Sequence, residues 1–118
     1  MFTHPSLLRQ LTLVSEQLRR AGESAWARRV VVTADRIRKS GWTDSGSQAL
    51  RELFETPPSL DSVNFGAEHE RRLGGYQGVL AANERMLALR VKLKELGTFP
   101  VKAAPDPGVP RLRSPDLA

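Results

Sequence analysis

The apolar positions of the segment 79–96 follow a helical pattern. They recur at steps of three and four residues, at Val79, Ala82, Met86, Leu89, Leu93 and Leu96. This spacing keeps them on one face of a helix. Leu80, Leu87 and Val91 widen the apolar face, so we expect more than one neighbour to pack on it. The segment therefore predicts a long final helix that forms the spine of the core.

Two earlier apolar stripes predict an antiparallel helical hairpin. The first helix is expected from Pro5 to Ala21, because proline suits the first turn and Gly22 suits a left-handed C-cap. Ser24 is the expected cap of a second helix, 25–39. The face of this helix that is predicted to be buried consists of Trp26, Val30, Ala34 and Ile37. A three-residue link between two helices of this length favours antiparallel packing.

The middle of the chain predicts shorter elements. A third helix is expected over 47–55, capped by Asp44 or Ser45, and ended by the two prolines after Thr56. The segment 59–65 fits either one helical turn or an extended piece that lays Leu60, Val63 and Phe65 on the core. Residues 67–73 are compatible with a helix, which the following pair of glycines, 74–75, ends.

The predicted fold is all-α, a small bundle of about four helices formed by residues 1–97. Residues 98–118 contain five prolines and are predicted to be a disordered or polyproline-II-like tail, since such a segment buries too little apolar surface to offset its ordering entropy. The chain has 118 residues, which fits one domain. A monomer is favoured, because the hairpin offers the last helix partners within the same chain.

Charge is unevenly distributed along the chain. Residues 1–43 carry eight basic and three acidic side chains, whereas residues 44–75 carry three and six, within a total net charge of +5. The predicted partner-binding surface, here called the basic lobe, comprises Arg19, Arg20, Arg28, Arg29, Arg36, Lys39 and Trp42. Arginine suits bidentate contacts to carboxylate or phosphate, although a solvated surface with a bias toward arginine gives the same pattern. Trp42 either marks an interface or, as we favour, folds back over a helix end.

The residues offer little for catalysis or for metal and cofactor binding. Cysteine is absent, and His4 and His69 are far apart in the sequence, so no metal-ligand pattern or cofactor motif is present. His69 lies in a charged stretch and is expected to be solvated. The glycine-rich segment 74–78 lacks the lysine and hydroxyl residue of a phosphate loop, and a hinge is favoured there. We expect no signal peptide and no membrane span, and we therefore expect a cytoplasmic location.

Asn83 is the polar residue at the edge of the last apolar stripe. In a coiled-coil seam, such an asparagine fixes the register. In a small domain it more often binds the backbone of a loop. We favour the second interpretation and expect Asn83 to tether the segment 59–65.

The sequence resembles a family of small, uncharacterised bacterial helical proteins, a domain of unknown function. The resemblance covers roughly residues 7–97. It is carried by Trp26-Ala27 after Gly22-Glu23, by Ser59-Leu60-Asp61, and by Ala82-Asn83-Glu84-Arg85 followed by Leu87, Leu89 and Leu93-Lys94-Glu95-Leu96. The family's glycine-rich turn is replaced here by Thr56-Pro57-Pro58, and the segment 67–78 is longer than usual. The resemblance implies a compact helical unit and no active site.

These observations predict a non-enzymatic protein-binding module. Immunity proteins and inhibitors, which occlude a partner protein, are the concrete versions. The partner of a basic lobe should have an acidic surface, and salt should then slow their association. The alternative is a nucleic-acid-associated accessory factor that uses the arginines of the first two helices. Its affinity would fall steeply with salt.

Overall fold

The computed structural model describes residues 4–97, and within them the predicted all-α fold is confirmed. The five α-helices are α1 (Pro5–Arg20), α2 (Ser24–Ser40), α3 (Asp44–Glu55), α4 (Glu70–Leu73) and α5 (Tyr76–Leu96). Two single 3₁₀ turns, Leu60–Ser62 and Ala67–His69, lie between α3 and α4, and the described residues contain no strand. The predicted Pro-rich tail, 98–118, lies outside the described residues.

The turn between α1 and α2 differs from its prediction by one residue. Gly22 has φ +89°, the left-handed value expected after α1, and the Glu23 N–H donates to the Leu18 carbonyl at 2.9 Å. The expectation that Ser24 caps α2 was wrong. Ser24 is the first residue of the helix and Glu23 occupies the cap position without a side-chain cap bond. The Glu23 carboxylate instead contacts His69.

The central helix of the bundle is α1, which packs against α2 on one side and α5 on the other. Leu7, Leu11, Val14 and Leu18 of α1 are completely buried. Helix α3 packs against α2, and its Phe54 ring lies 5.0 Å from the Lys94 ammonium group of α5. The helix with long neighbours on two sides is therefore α1 rather than α5, the expected spine, which packs against α1 and the short helix α4.

More than one neighbour packs on α5, as predicted, since α1, α4 and the turn Ala67–His69 all contact it, but these neighbours do not cover all of its apolar side chains. Val79, Ala82, Met86 and Leu93 are buried, in agreement with the pattern. Leu80, Leu87 and Val91 are 43%, 56% and 49% exposed. The apolar positions of α5 are spread too widely around the helix for α1 alone to cover them.

Helix α3 begins earlier than predicted. It starts at Asp44, where the Thr43 hydroxyl accepts a hydrogen bond from the Gly46 N–H at 3.4 Å. It ends at Glu55, because Thr56 before the prolines takes an extended conformation. Leu50 and Leu53 are buried as expected, and Phe54 is half-buried.

The segment 59–66 combines both predicted alternatives. Leu60–Ser62 forms one 3₁₀ turn, capped by the Ser59 hydroxyl, and the chain then runs extended through Val63. Leu60, Val63 and Phe65 are all buried. The segment packs beside α5, whose polar edge holds it in place through the contacts described below.

No helix among the described residues is both long enough and apolar enough to cross a membrane.

Candidate interaction surfaces

The cations of the basic lobe fall into two groups in the structure, those bonded to other parts of the fold and those that are not. Arg29 and Arg36 are engaged in contacts with α3. Within residues 4–97, no hydrogen bond or ion pair is made by the side chains of Arg19, Arg20, Arg28 and Lys39. Sequence reasoning placed all six cations in one surface, but adjacent residues on a helix point about 100° apart, which separates Arg19 from Arg20 and Arg28 from Arg29.

Arg29 closes the C-terminal end of α3. Its guanidinium donates to the carbonyl oxygens of Glu52 at 2.9 Å, Thr56 at 3.2 Å and Pro58 at 2.5 Å. The last carbonyls of a helix have no N–H donor within the helix, and a cation there also interacts favourably with the helix dipole. The guanidinium lies 4.7 Å from the ring centroid of Trp26, which is half-buried rather than part of the deep core. Arg29 thus serves the fold.

Arg36 forms an ion pair with Glu52 at 2.9 Å. This hydrogen bond and the charge of Arg36 lower the pKa of the Glu52 carboxyl below its usual value of 4.5. Both side chains are nearly half exposed, so solvent screens the attraction. Together with Arg28 and Arg29, this pair lines an open groove of about 590 Å³ between α2 and the end of α3.

Two exposed valines lie on the outer side of α2. Val31 is 37% exposed and Val32 is 50% exposed. A surface cavity of about 350 Å³ is lined by Arg19, Arg28 and Val31, and the α2–α3 groove continues from Arg28 to Val32. Together Arg19, Arg28, Val31 and Val32 form what we call the valine face. It presents two apolar side chains beside two unpaired arginines.

The sequence contains a signal for the valine face, the run Val30-Val31-Val32 within a predicted helix. Once the run is helical and Val30 faces the core, its two neighbours must point away from the core. Thr33 and Ala27 complete the buried side of α2 instead.

Trp42 folds back onto a helix end, as the favoured interpretation predicted. Its ring meets the His4 ring edge-on, with centroids 5.4 Å apart. It is half-buried and packs on the core.

Asn83 makes the predicted contact with the segment that precedes α4. Its Oδ1 accepts from the Phe65 N–H at 2.8 Å, and its Nδ2 donates to the Phe65 carbonyl at 2.9 Å. Farther along α5, Arg90 donates to the Val63 carbonyl at 3.0 Å, and Lys94 pairs with Asp61 at 2.6 Å. Burial lowers the pKa of Arg90, and the Asp61 charge opposes that shift. One edge of α5 thereby holds an otherwise irregular segment.

The expectation that His69 is solvated was wrong. The residue is only 6% exposed. Its Nδ1 accepts from the Gly66 N–H at 3.0 Å, and its Nε2 lies 2.6 Å from a Glu23 carboxylate oxygen. Since Nδ1 is an acceptor, Nε2 carries the proton and donates to Glu23. The partner is 46 residues away in the chain, so the charged neighbours of His69 gave no indication of this burial.

The ring of His69 is thus used at both nitrogens to join the α1–α2 turn to the turn before α4. Glu68 lies 3.6 Å from Nδ1, but its side chain is 75% exposed. Across residues 4–97, no group of three or more histidine or acidic side chains is arranged to hold a metal ion.

Comparison of the chain with models of protein families, with curated proteins and with solved structures finds no match. The resemblance to a small bacterial helical family therefore stays a prediction.

Proposed function

We propose that the protein is a non-enzymatic binding protein that holds another protein through the valine face. The observation that carries this proposal is the exposure of Val31 and Val32 between unpaired arginines. Branched side chains lower helix propensity, and exposed ones recover little by packing. A solvated helix surface would be more stable with other residues here, so a partner that covers the valines accounts for them.

The chemistry of the face indicates an acidic partner. Arg19 and Arg28 form no ion pair within residues 4–97. Arginine is enriched at protein interfaces, where its planar group binds carboxylates through two parallel hydrogen bonds. An apolar centre with cations at its border fits an interface whose partner supplies apolar contacts and carboxylates. An inhibitor or an immunity protein that occludes an acidic protein in the cytoplasm is the form of this function we favour.

The test is a pull-down from cells that produce this chain naturally. It compares the proteins that bind to the wild-type chain with those that bind to its variants. Val32→Ser should lose a partner that the wild-type protein retains. Val91→Ser is the matched control, because Val91 on α5 is 49% exposed and Val32 is 50% exposed. Arg28→Ser and Arg51→Ser form a second matched pair, since both arginines are exposed and neither has a partner within the described residues.

A partner lost by Val32→Ser and Arg28→Ser but kept by both controls supports the proposal. With that partner purified, its association rate should fall between low and physiological salt. Retention that is equal in all four variants contradicts the valine face. Retention that disappears after nuclease treatment would instead favour the nucleic-acid alternative, for which the unpaired arginines are equally suited.

A further inference from the structure

A second group of unpaired arginines lies at the junction of α1, α4 and α5. Arg20, Arg72 and Arg85 line one cavity of about 200 Å³, although they come from three separate helices. None of the three makes an ion pair or a side-chain hydrogen bond within residues 4–97. No aspartate or glutamate lines the cavity. Three cations that share a small volume repel one another, so this arrangement does not stabilise the fold by itself.

Gln17 supplies an independent observation at the same place. It lines the cavity and is only 5% exposed. Its side-chain amide has no hydrogen-bond partner among the described residues. Leaving a buried amide unsatisfied costs about 1–3 kcal/mol, and buried polar groups in proteins are rarely left so. A ligand that accepts a hydrogen bond from this amide would account for it.

The start of α5 contributes in the same direction. Gly78, in the first turn of α5, also lines the cavity. The first N–H groups of a helix have no acceptor within the helix and carry the positive end of its dipole. The glycine-rich segment 74–78 lacks the other residues of a phosphate loop, yet it places a helix start in the same cavity as the three arginines.

We propose that this cavity, formed by Gln17, Arg20, Arg72, Arg85 and Gly78, binds a phosphate group, either as free phosphate or as the phosphate of a small ester. The guanidinium groups provide the charge and the planar donors that phosphate oxygens prefer. Gln17 provides a neutral donor at the buried side. The volume is smaller than that of a drug-sized pocket, about 300–1,000 Å³, and it therefore favours a small anion.

This site is separate from the valine face, although both use α1. Arg19 and Arg20 are adjacent in sequence but line different cavities, one with Val31 and the other with Arg85. The phosphate proposal therefore does not depend on the proposed protein partner, and either one can fail alone.

The test is an NMR titration of the full chain at constant ionic strength with inorganic phosphate, with a sugar phosphate, and with chloride as the reference anion. The side-chain amide signals of Gln17 and the Nε–H signals of the three arginines should shift and saturate with either phosphate, but not with chloride. A sugar phosphate that binds at least tenfold more tightly than inorganic phosphate would identify the ester as the source. Equal affinities would identify the free ion.

Gln17→Leu separates binding from folding. It removes an unsatisfied amide and keeps the side-chain volume similar, so the fold should be as stable as the wild type or more stable. Phosphate affinity should fall at least tenfold in Gln17→Leu and in Arg85→Gln, and should not change in Arg51→Gln. Shifts that do not saturate, that chloride reproduces, or that persist unchanged in Gln17→Leu would overturn the proposal.

Discussion

The side-chain amide of Asn83 bonds both backbone groups of Phe65, accepting from its N–H and donating to its carbonyl. Phe65 is 2% exposed, so its backbone groups have little access to water. The amide therefore replaces the partner that a neighbouring strand would provide. It allows an extended, non-repetitive piece of chain to pack on the core of a helical protein.

Replacing Asn83 should test how much this pairing contributes to stability. Asn83→Ala leaves two buried backbone groups without partners, and we expect a loss of about 2–3 kcal/mol in the free energy of unfolding. Asn83→Asp keeps the acceptor but not the donor, so its free energy of unfolding should lie between those of the wild type and Asn83→Ala. Urea denaturation measures the difference. Asn64→Ala is the control, because Asn64 is exposed and its side chain makes no hydrogen bond within residues 4–97. A similar loss in both variants would contradict this role of Asn83.

The helices could be predicted from the sequence because they follow a local apolar periodicity. The contact of Asn83 could be predicted because this polar residue interrupts that periodicity. The steps of three and four residues, Gly22 and the prolines after Thr56 set element type and ends within a few residues. The central position of α1 could not be obtained in this way. Several stripes were equally apolar, and only their packing shows that α1 has neighbours on two sides while Leu87 and Val91 of α5 remain exposed.

The candidate sites were less predictable for a related reason. Net charge identified arginine-rich helices but not the partners of each arginine. Arg29 meets carbonyls 23 to 29 residues away, and His69 meets Glu23 46 residues away. The cavity around Gln17 combines residues from the first and last helices. Such contacts are set by tertiary packing and leave no local pattern.

Arg29 should be the arginine of α2 that matters most for stability. Arg29→Met removes the donors to three carbonyls at the end of α3, and we expect a loss of about 1–2 kcal/mol. Arg29→Lys retains the charge but not the planar group, so it should recover only part of that loss. Thermal and urea unfolding measure both. Arg28→Met has no such contacts and should stay within about 0.5 kcal/mol of the wild type; equal effects at the two positions would refute this role of Arg29.

Gly78 and Gly74 should respond differently to alanine. A Cβ at Gly78 would overlap the carbonyl oxygen of Leu73, so the two helices would have to move apart. We expect Gly78→Ala to cost about 3 kcal/mol. Gly74 has φ +90° but open space around it, so Gly74→Ala should cost only the conformational strain, about 1 kcal/mol. Denaturation curves of both variants compare the costs, and the reverse order would show that the α4–α5 turn is looser than described.

The pair between Arg36 and Glu52 predicts one source of acid sensitivity. The pKa of Glu52 is lowered in the folded protein, mainly by its hydrogen bond to Arg36 and then by the charge of Arg36. The unfolded chain therefore binds the proton more readily, and this contribution to stability is complete above the ordinary value of 4.5. It is lost as the pH falls through the lower pKa of the folded state. Urea midpoints should consequently fall less between about pH 6 and pH 3 in Glu52→Gln than in the wild type.

Glu55→Gln, on the same helix, is the control for this measurement, because Glu55 has no ion pair within residues 4–97. It should retain the acid sensitivity of the wild type. If Glu52→Gln and the wild type lose stability in parallel over this range, the pair with Arg36 does not contribute to the pH dependence.

The valines of the proposed interface should make the folded protein less stable than alanines at the same positions. Val31 and Val32 are exposed in the interior of α2, where a branched side chain costs helix propensity relative to alanine. The double variant Val31→Ala, Val32→Ala should therefore unfold at a higher urea concentration, with a gain of about 0.5–1 kcal/mol. Val91→Ala on α5 should give a gain of about half that size, since it is one exposed valine in a helix interior. If the double variant is instead destabilised by more than about 1 kcal/mol, the two valines pack within the fold and their exposure does not indicate a partner.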